Sequence, residues 1–213
     1  MKFWFRTGIK SLLLIALAGS SLTFAAPADD LGRLLLATDG VITEFEQTVT
    51  DVHGRLLEKS HGDLHISKPL VLWRVQSPFP QTILLRETSL QIYDPDLEQV
   101  TERDFGEEWS QVPLAVLTRA NVDLSQAFSV TAGTNDSSEL NAAGFFVLRP
   151  LSQEALFEEI TMRFVDQRLE SLSILDPTGQ VTLVELKNYR SGQVIQSDVF
   201  ELKVPAGTEF VEG

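Results

Sequence analysis

The chain contains no cysteine among its 213 residues, and it has only three histidines. Without thiols it can form no disulfide framework, no thiolate metal cluster and no cysteine nucleophile. It also lacks the cysteine that would carry a lipid anchor behind an export signal. These absences exclude disulfide-stapled domains and thiol enzymes, and we expect a product that is free in its compartment.

Sequence motifs of catalysis are missing as well. The chain has no G-x-S-x-G elbow, no P-loop, no G-x-G-x-x-G turn and no H-E-x-x-H helix. Its adjacent carboxylates, Glu107-Glu108 and Glu158-Glu159, point to opposite sides of a strand and so do not make an acid/base pair. We therefore predict that the protein is not an enzyme and needs no cofactor.

One pattern of possible metal ligands is present. His61, Asp63 and His65 alternate onto one face of a predicted strand, in a geometry that a zinc or copper ion could use. Leu64 and Ile66 occupy the opposite, apolar face, so the polar face should be solvated. A solvated strand face is the commoner explanation, and we predict no metal site.

Positive charge is scarce. The chain carries 17 Lys and Arg against 30 Asp and Glu, a formal net charge of -13 at neutral pH. Such an acidic protein is repelled by phosphate backbones and by anionic lipid surfaces. The charge therefore argues against nucleic acid and anionic membrane surfaces as primary partners.

Apolar runs long enough to approach a membrane span occur only near the beginning. Lys2, Arg6 and Lys10 form a positive region, residues 12–17 are apolar, and Thr23-Phe24-Ala25 provides the site of a signal peptidase. The alternative, a retained anchor, needs roughly 20 apolar residues and the run is shorter. We predict a signal peptide over residues 1–25 and a single domain over residues 26–213.

Alternation of apolar and polar residues predicts strands over most of that domain. A short helix over Leu31, Leu34 and Leu35, capped by Asp29 or Asp30, precedes them. The sequence Asp176-Pro177-Thr178-Gly179 predicts a hairpin turn. The predicted strands cover residues 41–50, 62–68, 71–75, 81–86, 89–93, 98–103, 127–133, 144–150, 158–165, 168–175, 180–189 and 198–204. Many short strands with turns between them indicate a sheet that curls into a barrel or a sandwich.

The apolar faces of the first strands are candidates for the wall of a binding cavity, with Lys68 as a single charge at the rim. Ordinary core packing is the alternative for every one of them. The candidate wall residues are Phe45, Val49, Leu64, Ile66, Val71, Trp73, Val75, Ile83, Leu85, Leu90 and Ile92.

A second helical segment follows Pro113, which suits a first helical turn. Its side chains leave little polar surface, so it must bury itself against something. Two interpretations are open: a helix of the core, or a mobile lid over an apolar cavity. The candidate lid residues are Val112, Leu114, Ala115, Val116 and Leu117.

Taken in order, these features resemble the periplasmic outer-membrane lipoprotein carrier protein family, LolA. The resemblance covers residues 28–212. Its motifs are Phe45-x-Gln47, Gly62-Asp63-Leu64 leading to Lys68-Pro69, Trp73, Tyr93-Asp94-Pro95, the helix after Pro113, and the closing Phe200-Glu201-Leu202-Lys203-Val204-Pro205-Ala206-Gly207-Thr208.

The resemblance implies a mainly β (α+β) fold, a single unclosed antiparallel β-barrel with a helical lid over an apolar cavity. It implies a soluble, monomeric periplasmic chaperone that binds the acyl chains of lipoproteins. Its partners would be an inner-membrane ABC release complex, which supplies the cargo, and an outer-membrane receptor lipoprotein, which accepts it.

The resemblance also gives Lys68 a role, since the family has a basic residue, usually arginine, that bonds the lid at this position. Lysine offers a point charge where arginine offers a planar fork, so the latch would make fewer fixed bonds. Val71 stands where the family tends to place an aromatic residue, with one residue missing after Pro69.

Two other functions fit the same sequence. A periplasmic module that senses lipids or lipoproteins could share the architecture without ferrying cargo. A lipid hydrolase with an unrecognised carboxylate dyad is a remote alternative, and turnover of a chromogenic ester would reveal it.

Overall fold

Strands form over most of the segments in which apolar and polar residues alternate, and they join into one sheet. The computed structural model describes residues 27–106, 108–119, 123–134 and 144–213. The predicted signal peptide lies outside the described residues. The elements are helix α1 (Pro27–Leu36) and strands β1 (Val41–Thr50), β2 (Leu56–Ser67), β3 (Leu70–Ser77), β4 (Gln81–Leu85), β5 (Ser89–Asp94), β6 (Gln99–Asp104), β7 (Phe128–Thr134), β8 (Gly144–Pro150), β9 (Glu159–Val165), β10 (Arg168–Leu175), β11 (Val181–Arg190) and β12 (Glu209–Glu212).

The sheet runs in the order β12-β6-β5-β4-β3-β2-β1-β11-β10-β9-β8-β7. Its neighbours pair antiparallel except for β12, which lies parallel to β6. Among the described strands, β12 and β7 are the two edges, so the sheet is not closed. The prediction of a mainly β, unclosed sheet is confirmed, and the parallel edge strand is the departure from a purely antiparallel one.

Short 3-10 helices fill the connections on the apolar side of the sheet. They span Glu108–Gln111, Pro113–Thr118 and Leu124–Gln126, and a fourth, Ser197–Phe200, lies near the end of the chain. None of the helices that the structure describes has both the length and the apolarity to cross a bilayer.

One core holds the fold together on the inner side. Leu31 and Leu35 of α1 are buried there together with inward side chains of both halves of the sheet. Asp29 and Asp30 lie in the first turn of α1, which begins at Pro27, so the prediction that one of them caps the helix was wrong. Negative charge in that turn still complements the helix dipole.

The hairpin turn between β10 and β11 is confirmed. The Asp176 carboxylate accepts the backbone N–H groups of Thr178 and Gln180 at 2.8 and 3.0 Å. Gly179 takes the left-handed conformation, with φ +83°, that glycine adopts without strain. Hydrogen bonds, above all from the Thr178 hydroxyl, lower the pKa of Asp176.

The predicted strand over residues 198–204 is wrong. This segment forms the 3-10 helix Ser197–Phe200 and then an irregular run across the outer face of the sheet. There Phe200 packs on Leu72 and Leu84, which point away from the main core. The apolar residues that suggested a strand serve instead to cover an outward-facing apolar pair.

A lidded apolar interior as the candidate functional site

The inner face of the sheet is built from residues that the strand register places in rows. One row runs across β2 to β5 through Leu64, Trp73, Ile83 and Ile92. The next row runs through Ile66, Val71, Leu85 and Leu90. Because paired residues share a face, these strands present one continuous apolar surface.

Aromatic stacking marks the centre of this surface. The rings of Phe45 and Trp73 lie 4.1 Å apart between centroids, and both side chains are almost fully buried. Phe45 reaches Trp73 across Gly62, since an added Cβ at Gly62 would lie 2.9 Å from the Phe45 ring. A glycine in the intervening strand is therefore what allows the two rings to meet.

A lid segment, defined as the 3-10 helix Pro113–Thr118, covers the inner face. Ala115, Val116 and Leu117 are at most 1% exposed and belong to the same apolar cluster as the sheet. The segment contacts β2, β3 and β4. In this structure the buried side chains of the lid segment pack in one cluster with those of the wall.

Lys68 holds the end of the lid segment. It follows β2 in the turn to β3, and its Nζ donates a hydrogen bond to the carbonyl oxygen of Arg119 at 2.6 Å. Its backbone N–H donates to Asp39 Oδ1 at 2.9 Å, which fixes the turn. Burial lowers the pKa of the ammonium from 10.5 to about 8, although the charge of Asp39 opposes this effect.

Arg119 contributes a second set of contacts that the sequence did not indicate. Its Nη2 donates to the carbonyl oxygen of Glu87 at 2.8 Å, and its Nη1 lies 3.8 Å from the Glu87 carboxylate. The guanidinium carbon is 4.5 Å from the centroid of the Trp109 ring, a cation–π distance. A lone arginine in a loop gives no local sequence signal that it will contact a distant backbone carbonyl and an aromatic ring.

The structure brings most of the predicted site residues together. All five lid candidates lie in or next to the apolar cluster, with Val112 and Leu114 half-buried at its margin. Nine of the eleven wall candidates belong to it or pack on it: Phe45, Leu64, Ile66, Val71, Trp73, Val75, Ile83, Leu85 and Leu90. Val49 and Ile92 are half-buried and lie outside the cluster. The roles of lid, latch and wall remain predictions.

The polar face with His61, Asp63 and His65 is only partly solvated. His61 is exposed, whereas His65 and Asp63 are mostly covered, with His65 Nε2 3.1 Å from Asp63 Oδ2. Burial opposes ionisation of Asp63, but the contacts with His65 and Arg74 outweigh it and lower the pKa of this carboxyl. Within the described ranges no three His, Asp or Glu residues cluster as a metal site would require.

The buried ammonium of Lys68 predicts a pH dependence of stability. The folded protein releases this proton near pH 8 and the unfolded chain near 10.5, so the unfolded chain binds more protons between these values. The free energy of unfolding should therefore rise across this window, by about 2 kcal/mol after allowance for residual solvation. Urea unfolding at pH 7, 8.5 and 10 measures it.

Lys68→Leu is the matched control, because all other groups titrate as before. As the pH rises, the unfolding free energy of the unsubstituted chain should increase relative to that of Lys68→Leu. Parallel pH profiles would show that the ammonium is as well solvated in the folded protein as in the unfolded chain.

Comparison with known proteins places this geometry in context. A model of the family described as outer membrane lipoprotein carrier protein LolA matches residues 37–203. An outer-membrane lipoprotein carrier protein of Pseudomonas fluorescens (strain Pf0-1) is 28% identical, with 94% of this chain and 97% of that protein covered. A protein of the same description from Hahella chejuensis (strain KCTC 2396) is 29% identical, with 95% and 97% covered.

Among solved structures, an uncharacterized conserved protein from Thermus thermophilus aligns with a TM-score of 0.53 at 12% identity. The alignment covers 88% of this chain and all of that one. At this identity the likeness concerns the fold alone.

Proposed function

The chain belongs to the outer-membrane lipoprotein carrier protein family, LolA, and we propose that it holds the acyl chains of lipoproteins in the apolar interior beneath its lid segment. The family is one of periplasmic lipoprotein transport proteins and not of enzymes. The observation that carries the proposal is the apolar inner face of an unclosed sheet, covered by a short segment whose end one lysine holds.

Physical chemistry explains why such a cargo needs an escort. Burying a methylene is worth roughly 0.8 kcal/mol. Exposing one acyl chain of about 15 methylenes to water therefore costs a free energy on the order of 12 kcal/mol. A triacylated lipoprotein therefore cannot cross an aqueous compartment alone. The proposed route begins at an inner-membrane ABC release complex and ends at an outer-membrane receptor lipoprotein.

Release of the cargo requires a stable cargo-free conformation that competes with the cargo-bound one. Ala115, Val116 and Leu117 occupy the space that acyl chains would take, so lid closure and cargo binding exclude each other. The apparent affinity for cargo is then lowered by the stability of the closed state. Lys68 sets part of that stability through its bond to the Arg119 carbonyl.

The test combines binding with transfer. A synthetic triacylated lipopeptide should bind the protein, and the protein should release a lipoprotein from spheroplasts and deliver it to acceptor outer membranes. Lys68→Leu removes a charge-assisted bond that exists only when the lid is closed. It should tighten lipopeptide binding by about tenfold and slow delivery in proportion.

The outcomes separate the candidate functions. Binding without delivery by the unsubstituted chain would identify a sensing module in place of a carrier. Unchanged delivery by Lys68→Leu, with the fold intact by circular dichroism, would refute the assignment of Lys68 as the latch.

A further inference from the structure

Arg119 lies where the lid segment ends, and both its backbone and its side chain are engaged. The carbonyl accepts a hydrogen bond from the Lys68 ammonium. The guanidinium contacts Glu87 in the turn between β4 and β5 and Trp109 in the 3-10 helix Glu108–Gln111, which belongs to the connection from β6 to β7. Its side chain is only 11% exposed, whereas that of Glu87 is 65% exposed. The arginine is thus an embedded group, and not a surface partner of a surface acid.

On one side, the guanidinium is tied to the half of the sheet that contains the candidate wall. Glu87 lies in the turn between β4 and β5, and its carbonyl oxygen accepts the Arg119 Nη2 at 2.8 Å. A bond to a backbone carbonyl positions the arginine relative to the turn itself, whatever the Glu87 side chain does.

On the other side, aromatic contacts lead from the guanidinium to the far edge of the sheet. The guanidinium carbon of Arg119 lies 4.5 Å from the centroid of the Trp109 ring. The Trp109 ring in turn contacts the Phe128 ring edge-on, with 5.6 Å between the ring centroids. Phe128 is the first residue of the edge strand β7, and its ring lies 6.3 Å from that of Phe157 in the connection from β8 to β9.

The strand order shows that these two sets of contacts lead to opposite sides of the sheet. The strands β4 and β5 lie toward the β12 edge, while β7 is the opposite edge. We propose that Arg119 is a positioning residue that couples closure of the lid segment to the spacing between the two parts of the open sheet. This inference rests on the proposed function and adds to it a residue outside the Lys68 latch.

The coupling follows from the geometry. Acyl chains can enter only if the lid segment leaves, and its departure withdraws Arg119 from Trp109 and from Glu87 together. The β7 side then loses its tie to the β4–β5 turn, and the sheet can widen around its cargo. Only a planar guanidinium can stack on an indole and bond a carbonyl in its own plane at the same time, so lysine cannot replace it.

The absence of cysteine makes a direct distance measurement possible. Thr88→Cys, next to Glu87, and Thr131→Cys, on β7, create two exposed labelling sites in a chain with no other thiol. Pulsed electron–electron double resonance between nitroxides at these sites reports the distance between the β4–β5 turn and β7. The empty protein should give one narrow distribution, and the triacylated lipopeptide should lengthen and broaden it.

Substitution of Arg119 should reproduce the loaded distribution without cargo. In Arg119→Gln and in Arg119→Lys we expect a broad distribution in the empty protein and lipopeptide binding that is about fivefold tighter. Damage to the fold would weaken binding instead. Arg163→Gln is the matched control, because it removes an exposed arginine that bonds Glu170 across β9 and β10 at 2.8 Å. It should leave both readouts unchanged.

A narrow distribution and unaltered affinity in both Arg119 variants would overturn the inference. Failure of the unsubstituted protein to bind lipopeptide would refute the carrier function instead, while the distances in the empty variants would still decide the role of Arg119. If Arg119→Gln does not fold, Arg119→Lys and Trp109→Leu carry the same test.

Discussion

Replacing Gly62 with alanine should lower the free energy of unfolding by roughly 3 kcal/mol. An added Cβ would lie 1.8 Å from the carbonyl oxygen of Arg74 and 2.9 Å from the Phe45 ring. The oxygen belongs to the backbone of the neighbouring strand β3, so it cannot turn away as a side chain could. The strands must separate or Phe45 must leave Trp73. Urea unfolding followed by circular dichroism measures the loss.

Gly32→Ala is the control for this substitution. Apart from its chain neighbours and the nearby backbone of α1, no described atom lies within 4 Å of the Cβ that alanine would add there, and the residue is inside α1. Alanine should therefore stabilise the protein by about 0.5–1 kcal/mol through its helix propensity. Equal unfolding midpoints for the two variants would show that the sheet at Gly62 is far looser than the close approach to Arg74 indicates.

Trp73→Ala should cost about 4 kcal/mol of unfolding free energy and should remove the centre of the proposed acyl-binding surface. The indole is 3% exposed and its ring contacts that of Phe45. Its removal leaves a cavity that the neighbouring strands cannot fill, since their backbones are fixed by the sheet. The stability is measured by urea unfolding, and the affinity by titration with triacylated lipopeptide.

Phe79→Ala provides the comparison, because this side chain is 67% exposed in the turn after β3. Its effect on stability should stay within about 0.5 kcal/mol. A loss below about 1 kcal/mol for Trp73→Ala would contradict a tightly packed interior.

The sequence was sufficient to predict the inner face of β1 to β3, because strand periodicity is local. Every second residue of a strand lies on the same face, so Phe45 of β1, Leu64 of β2 and Trp73 of β3 could each be assigned to an apolar face from its own strand. Burial alternates around Phe45 and Leu64, whereas in β3 Leu72 on the other face is buried as well. The same rule failed at Phe200, where a neighbour distant in the chain decides the structure. Leu72 and Leu84 required a cover, and nothing near Phe200 records this requirement.

The candidate site could likewise be predicted only where its features are local in the sequence. A charge at the strand end, Lys68, and an apolar segment after Pro113 that must be buried are visible in a short window of sequence. The bond between the two was expected only from the resemblance to a family. The contacts of Arg119 with Glu87 and Trp109 join the β4–β5 turn to the connection between β6 and β7, so only the folded chain reveals them. The lid segment also forms a 3-10 helix and not an α-helix, which a short apolar run does not specify.

An open sheet also has a consequence for solubility. The strand at one edge, β12, presents backbone groups that could pair with a second copy of the chain and begin aggregation. That strand has only four residues, and its exposed Glu209 and Glu212 carry like charges that would face those of an approaching copy. This edge is therefore short and carries charges of one sign, which opposes edge-to-edge pairing of two copies.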